Sequence, residues 1–244
     1  MSGSAVACVS AHPAALVRLV CFAHAGGGPM AFRHWARPLA PDVELWSVTL
    51  AGRASRTGEP FAREWTPLVD ELATAVDGSV EPPVALFGHS LGALLAFEVA
   101  RELERRGRDL AHLVVSGRAA PDGGQSYAVP ETDEELLGHV DALYGGVPDA
   151  VRAAPELLDH FVPILRADLT LARSYAFAPG ARLRCPLTAL TGCDDPTVTW
   201  EQLEPWRRQA GGGFDARRFP GAHFYFEAQE PAVLAAIRER LLVH

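Results

Sequence analysis

Lysine is missing from this sequence altogether, so its 22 basic charges are all arginines, set against 30 acidic residues for a formal net charge of -8. With alanine so abundant, the arginine-only pattern reads as the codon bias of a GC-rich genome rather than as a selected binding surface. An acidic chain lacks the basic field that displaces counterions from phosphates, which excludes general nucleic-acid binding. Cysteine is scarce too. Cys8, Cys21, Cys185 and Cys193 form no CxxC pair and have no histidine spaced to complete a zinc site, so they are read as free core thiols and no metal is expected. No stretch approaches the roughly 20 apolar residues of a membrane span, and the N-terminus lacks a basic region ahead of an uninterrupted apolar run. A cytoplasmic protein without membrane attachment is the expectation. Repeats and low-complexity tracts are absent, and 48% hydrophobic residues are too many for a disordered chain.

What is present suits a globular enzyme. A chain of 244 residues fits one large α/β domain or two small ones, and it buries roughly 70% of the surface the unfolded chain exposes. Short apolar runs at 18–22, 43–48, 84–87, 113–116, 187–190 and 214–219 read as strands, several of them nearly continuous in Val, Leu, Ala and Phe, as parallel strands covered on both faces are. Helical patterns lie between them at 30–39, 65–76, 91–106, 200–209 and 231–242. This alternation predicts a mostly parallel, doubly wound sheet in one domain spanning residues 1–244. Residues 118–184 break the rhythm with helical patterns at 133–144 and 155–175, separated by Gly145-Gly146 and Pro148, and are expected to form an inserted helical subdomain.

The pentapeptide Gly88-His89-Ser90-Leu91-Gly92 directly follows the strand VALF and opens the helix LGALLAFEVARELERR. That is the setting of a nucleophile elbow, a tight strand-to-helix turn that strains Ser90 and needs glycines beside it. A serine hydroxyl is a weak nucleophile and requires a base, itself oriented by an acid. With such an elbow the acid follows the nucleophile in the chain and the histidine follows the acid. Thr191-Gly192-Cys193-Asp194-Asp195-Pro196 follows one late strand, and Pro220-Gly221-Ala222-His223 follows the next. His223 is the candidate base. His12 and His244 fall near the termini, His34 and His112 read as surface or helix-end residues, and His139 and His160 lie in the insertion. Spacing does not separate Asp194 from Asp195. The amide of Leu91, at the start of the helix, and that of Ala25, in the loop His24-Ala25-Gly26-Gly27-Gly28 after the first long strand, are candidate donors to an oxyanion. That loop lacks both GxGxxG spacing and a Walker lysine, so a nucleotide cofactor is not expected, and His24 is read as shaping the loop.

Taken in order, HAGGG, Leu50-Ala51-Gly52-Arg53, GHSLGALLAFEVARELERRG, Ser116-Gly117-Arg118-Ala119-Ala120-Pro121, Leu165-Arg166-Ala167-Asp168, TGCDDPTV with Trp206 beyond it, and GAHFYF resemble the type II thioesterases of polyketide and nonribosomal peptide assembly lines. The resemblance runs from about Leu19 to Leu242. It implies an α/β-hydrolase fold with a helical lid over 118–184, no cofactor, and hydrolysis of acyl groups from the phosphopantetheine arm of an acyl or peptidyl carrier protein. It also selects Asp195, the aspartate immediately before proline, as the acid. Phe161, Leu165, Leu169 and Tyr175 are candidates for the wall of an acyl pocket in that lid. A monomer is expected. Because a carrier protein is acidic as well, docking would need a local arginine cluster, such as Arg53, Arg56 and Arg63, or Arg105, Arg106 and Arg108. A carboxylesterase or a chain-releasing, cyclising thioesterase would carry the same triad. A non-catalytic binding module would be expected to lack one of its members.

Overall fold

Six expected strands form, and a seventh joins them, in a computed structural model that describes residues 3–123, 129–145, 147 and 149–242; residues 1–2, 124–128, Gly146, Pro148, Val243 and His244 lie outside the described residues. The strands are β1 (Val6–Ser10), β2 (Val17–Phe22), β3 (Val43–Val48), β4 (Val84–His89), β5 (His112–Ser116), β6 (Leu187–Gly192) and β7 (Phe214–Phe219). The helices are α1 (Ala36–Leu39), α2 (Trp65–Ser79), α3 (Leu91–Arg105), α4 (Asp133–Tyr144), α5 (Asp149–Arg152), α6 (Pro155–Arg173), α7 (Trp200–Leu203), α8 (Tyr225–Ala228) and α9 (Glu230–Leu242). The sheet order is β1-β3-β2-β4-β5-β6-β7, parallel throughout except for β1, which pairs antiparallel with β3. β1 has no counterpart in the sequence reading. Its VACVS run is short and only weakly apolar, and its ladder slips register between Cys8 and Ser10.

Side chains alternate between the two faces along each central strand. Val20, Phe22, Leu86 and Val115 pack beneath α2 and α3, while Leu19, Cys21, Phe87 and Val114 pack beneath α1 and α9. Helix α3 is buried at 11 of its 15 residues, because sheet, α2 and α6 all lie against it. Proline shortens two expected helices. The 30–39 pattern yields a 3-10 turn, Arg33–Trp35, and only four residues of α1, and the 200–209 pattern yields α7 and a 3-10 segment, Glu204–Gln209. Pro38 and Pro205 each lack the N–H that would bond four residues back, so neither turn propagates as one α-helix. Helices α4, α5 and α6 stand between β5 and β6 and carry their own apolar cluster, which includes Leu136, Val140, Val162 and Leu165.

The sheet order decides where loops can meet. From β2 the chain steps outward to β3, then returns to the other side of β2 for β4, so the strand order reverses at the β2–β4 seam. Loops leaving the carboxyl ends of two such neighbours diverge around a crevice, the usual binding position in open α/β sheets. Phe22 pairs with Gly88 at the end of that seam. The Gly-rich loop and the Ser90 turn therefore leave the sheet side by side.

Two readings of single residues change. Cys21 and Cys185 are buried, but Cys8 and Cys193 are exposed rather than in the core. His112 is not a surface residue: it is the first residue of β5, 4% exposed, with Nε2 2.8 Å from Thr188 Oγ1. Burial, with Arg240 nearby, lowers its pKa to about 4, against a smaller opposing effect of Asp215. The folded chain thus resists protonation that the unfolded chain accepts near pH 6.5, and stability present above that pH is lost as pH falls toward 4, by up to about 1.4 kcal/mol per unit. In urea unfolding, His112→Gln is expected to shrink the loss of stability between pH 7 and pH 5 by about 1–2 kcal/mol. An unchanged difference would show that His112 protonates equally easily in both states.

Candidate active site

Ser90 sits where β4 turns into α3, with φ 57° and ψ -116°. A non-glycine residue at positive φ costs on the order of 1–3 kcal/mol and persists only where its surroundings over-determine it. Here its amide donates to Ser116 O of β5 at 2.8 Å, and its carbonyl accepts from Ala93 N at 3.1 Å. The flanking glycines are required by proximity. A Cβ on Gly88 would overlap the Gly92 carbonyl, and a Cβ on Gly92 would overlap the Phe22 carbonyl of β2. Leu91 is the first residue of α3, so its amide is one that the helix leaves without an internal partner, at the positive end of the dipole.

The β6–β7 ladder ends at Gly192 and Phe219, and the two loops that follow are tied together by Cys193 N to Phe219 O at 2.8 Å and Asp194 N to Gly221 O at 3.0 Å. Asp194 is exposed, whereas the side chains of Asp195 and His223 are 0% and 2% exposed. Asp195 Oδ2 lies 2.8 Å from His223 Nδ1, and Asp195 Oδ1 accepts from the Thr197 amide at 2.8 Å and the Thr197 hydroxyl at 2.7 Å. Burial alone would raise the pKa of Asp195, but the bond and charge of His223 and the two Thr197 bonds outweigh it and hold it below the ordinary value. On the far side of the ring, His223 Nε2 is buried without a hydrogen-bond partner among the described residues. His223 lines the same enclosure as Ser90, a cavity of about 650 Å³ that Ala25 and Leu91 also line.

Other histidines crowd this point but stay neutral. His89, fully buried, has Nδ1 2.9 Å from Ser116 Oγ, which is 2.7 Å from the Tyr225 hydroxyl. Burial, His223 and His24 keep its pKa well below the ordinary value. His24 packs 4.8 Å from the Phe224 ring, and burial followed by the charges of His223 and Arg53 lowers its pKa to about 4.

The cavity's other wall comes from the helices between β5 and β6. Phe161, Leu165 and Leu169, four residues apart on α6, line it. Tyr175 does not. Because α6 ends at Arg173, Tyr175 leaves the stripe, packs 4.7 Å from Trp65 and donates to Glu98 Oε1 at 2.6 Å. Its place is taken by Tyr144 at the end of α4, whose ring lies 4.8 Å from His223. No sequence pattern marks that tyrosine. Of the arginine candidates, Arg63 is exposed. Arg53 and Arg56 are buried and paired with Asp168 and with Glu59 and Glu71, while Arg105, Arg106 and Arg108 are engaged by Glu102, Asp70 and Asp77.

Residues 17–241 match the family described as the thioesterase domain. The chain belongs to that family. It is 39% identical to "Thioesterase PikA5" of Streptomyces venezuelae over 241 residues, covering 95% of this chain and 84% of that protein. Its fold superposes on the type II thioesterase BorB from the borrelidin biosynthetic cluster with a TM-score of 0.90 at 37% identity, covering 99% of each chain. It superposes on the RedJ thioesterase of the prodiginine pathway in Streptomyces coelicolor with a TM-score of 0.87 at 39% identity, covering 93% of this chain and 87% of that one. The architecture is therefore the α/β-hydrolase fold, and the protein is a serine thioesterase of the type II group. Among the described residues no helix is long and apolar enough to cross a membrane.

The seam between α3 and β2 in this thioesterase leaves no room for adjustment, since the atoms opposing Gly92 are backbone. Gly92→Ala is expected to lower stability by about 3 kcal/mol or more, visible as a lower urea midpoint together with lost activity. Wild-type unfolding behaviour would show that β2 can retreat.

Proposed function

We propose that this thioesterase clears stalled acyl groups from the phosphopantetheine arm of acyl or peptidyl carrier proteins in polyketide or nonribosomal peptide synthesis, with Ser90, His223 and Asp195 as its triad. The observation that carries the reading is the unpartnered Nε2 of a buried histidine whose Nδ1 is fixed by a buried aspartate, beside a serine lining the same cavity. With Asp195 accepting from Nδ1–H, Nε2 is left as the lone-pair nitrogen and takes the Ser90 proton. Ser90 Oγ then bonds to the thioester carbonyl carbon, and the negative oxygen is held by the amides of Ala25 and Leu91. Collapse breaks the C–S bond, and His223 returns its proton to the departing pantetheine thiolate. Water, deprotonated by His223, repeats the sequence and releases the free acid. Asp195 stays ionised throughout and stabilises the imidazolium in both steps. Phe161, Leu165 and Leu169 offer an apolar wall to the acyl chain. The setting we propose is the cytoplasm, with the enzyme acting as a monomer and the helices over residues 118–184 serving as the lid.

Oxygen esters pass through the same oxyanion, so substrate class is read from rates. Mass-spectrometric hydrolysis of acyl carrier protein is expected to exceed that of the matching acyl-CoA and nitrophenyl ester in kcat/KM. Ser90→Ala is expected to lower kcat by about 10³-fold or more with an unaltered fold. Substantial turnover in that variant would sink the triad, and a preference for the nitrophenyl ester would replace the carrier with a simple ester.

A further inference from the structure

A buried ion pair lies behind the proposed oxyanion loop and is not a member of the triad. Arg53, in the loop after β3, and Asp168, on α6, are 5% and 3% exposed. They meet through two parallel bonds, Nη1 to Oδ2 at 2.7 Å and Nη2 to Oδ1 at 2.6 Å. Each partner also grips the Gly-rich loop. Asp168 Oδ2 accepts from Gly26 N at 2.8 Å, and Arg53 Nη1 donates to Gly27 O at 2.8 Å. Between these grips Gly27 N bonds to His24 O at 2.9 Å, and Gly26 has φ 78°. This is a tight turn with Ala25 and Gly26 at its centre, and a positive φ at the second central residue is the signature of type II. A Cβ at Gly26 would meet Phe161 and Leu165 of α6, so that helix crowds the turn.

We propose that Arg53 and Asp168 are positioning residues for thioester hydrolysis, seating the turn that presents the Ala25 N–H to the oxyanion and making its placement depend on the seating of α6. The alternative turn, type I, differs by rotation of the Ala25–Gly26 peptide, which would turn the Ala25 carbonyl toward the place now held by Gly26 N–H and give up the bond to Asp168 that seats the turn, so that the Ala25 N–H in the preceding peptide would lose its support. Asp168 opposes that rotation because a carboxylate repels a carbonyl oxygen. Arg53 has a second task. An unpaired carboxylate next to the oxyanion loop would disfavour the negative charge that develops there, and the guanidinium neutralises it over two short bonds in a site nearly free of water. Helix α6 thus carries both the apolar wall at Phe161, Leu165 and Leu169 and the anchor of the oxyanion loop. An acyl chain that displaced α6 would loosen the hole as well as the pocket.

The inference rests on the proposed triad and on the role given to Ala25, and its test separates the two. Arg53→Gln, Asp168→Asn and the milder Arg53→Lys are compared with wild type by nitrophenyl-ester kinetics, by affinity for a boronic acid that mimics the tetrahedral intermediate on Ser90, and by thermal unfolding. Arg53→Gln and Asp168→Asn are expected to lower kcat about 10- to 100-fold with KM within about twofold. They should weaken boronate binding in the same proportion, with partial recovery in Arg53→Lys. Losses in KM alone, or wild-type kcat and boronate affinity in a destabilised variant, would reduce the pair to a structural tie. If wild type itself neither turns over the ester nor binds the boronate through Ser90, the triad reading fails first, which the same measurements reveal.

Discussion

The arrangement of this site depends on how closely α3 crosses the end of the sheet. At the β4–α3 turn the backbone of the helix touches the backbone of β2, so there is no space for a side chain at Gly88 or Gly92 and Ser90 is forced to positive φ. Strain of this kind survives because the sheet on both sides is parallel, buried and tied by long-range ladders, with Ser90 N itself bonded into β5. The same crossing presents the start of α3 to the loop after β2. Ser90, the first amide of α3 and the Gly-rich loop therefore come from one seam, and the reversal of strand order there is what opens the crevice between them.

Electrostatics then divide the histidines. His24, His89 and His223 lie within a few ångströms of one another in a largely desolvated pocket. Only one of them, His223, has a carboxylate on its Nδ1. His89 is bonded at Nδ1 to a neutral hydroxyl, which supports the ring but offers no charge to balance an imidazolium. Burial and mutual repulsion hold His24 and His89 neutral. They therefore do not compete with the proton that moves between Ser90 and His223 in the proposed cycle, and they add little positive field to oppose it.

How far the site was legible in the sequence follows from how local each cause is. The Ser90 turn is announced by residues adjacent in the chain, since strand, glycines, serine and helix all lie within one continuous segment. The loops of Asp195 and His223 were placed by their position after apolar strands. Spacing left Asp194 and Asp195 equivalent, and what separates them is a contact across the fold: Asp195 is the one bonded to His223 Nδ1, steadied locally by Thr197 two residues on. Tyr175 fails as a pocket residue because the i, i+4 stripe stops where α6 stops, and Tyr144 was invisible because its relation to His223 exists only once α4 is folded over the sheet. Arg53 shows the same limit in charge. Isolated in sequence it resembles any solvated arginine, but its partner lies 115 residues away.

That distance bears on why the helices over the site belong to the mechanism and not merely to the pocket. An apolar wall alone would let chain length be tuned by exchanging side chains on α6 with no effect on the chemistry beneath. A buried charge pair does not permit such independence, because lifting one partner leaves the other uncompensated in a dry site, at a cost of several kcal/mol. The energy of that pair is therefore available to hold α6 down over the Gly-rich loop. One helix thereby carries, in the proposed mechanism, both the apolar contacts to the acyl chain and the anchor for the oxyanion loop. Under the proposed mechanism, a group too bulky for the 650 Å³ cavity is excluded twice: it lacks room along Phe161 and Leu165, and the displacement it would require breaks the contacts that order the loop.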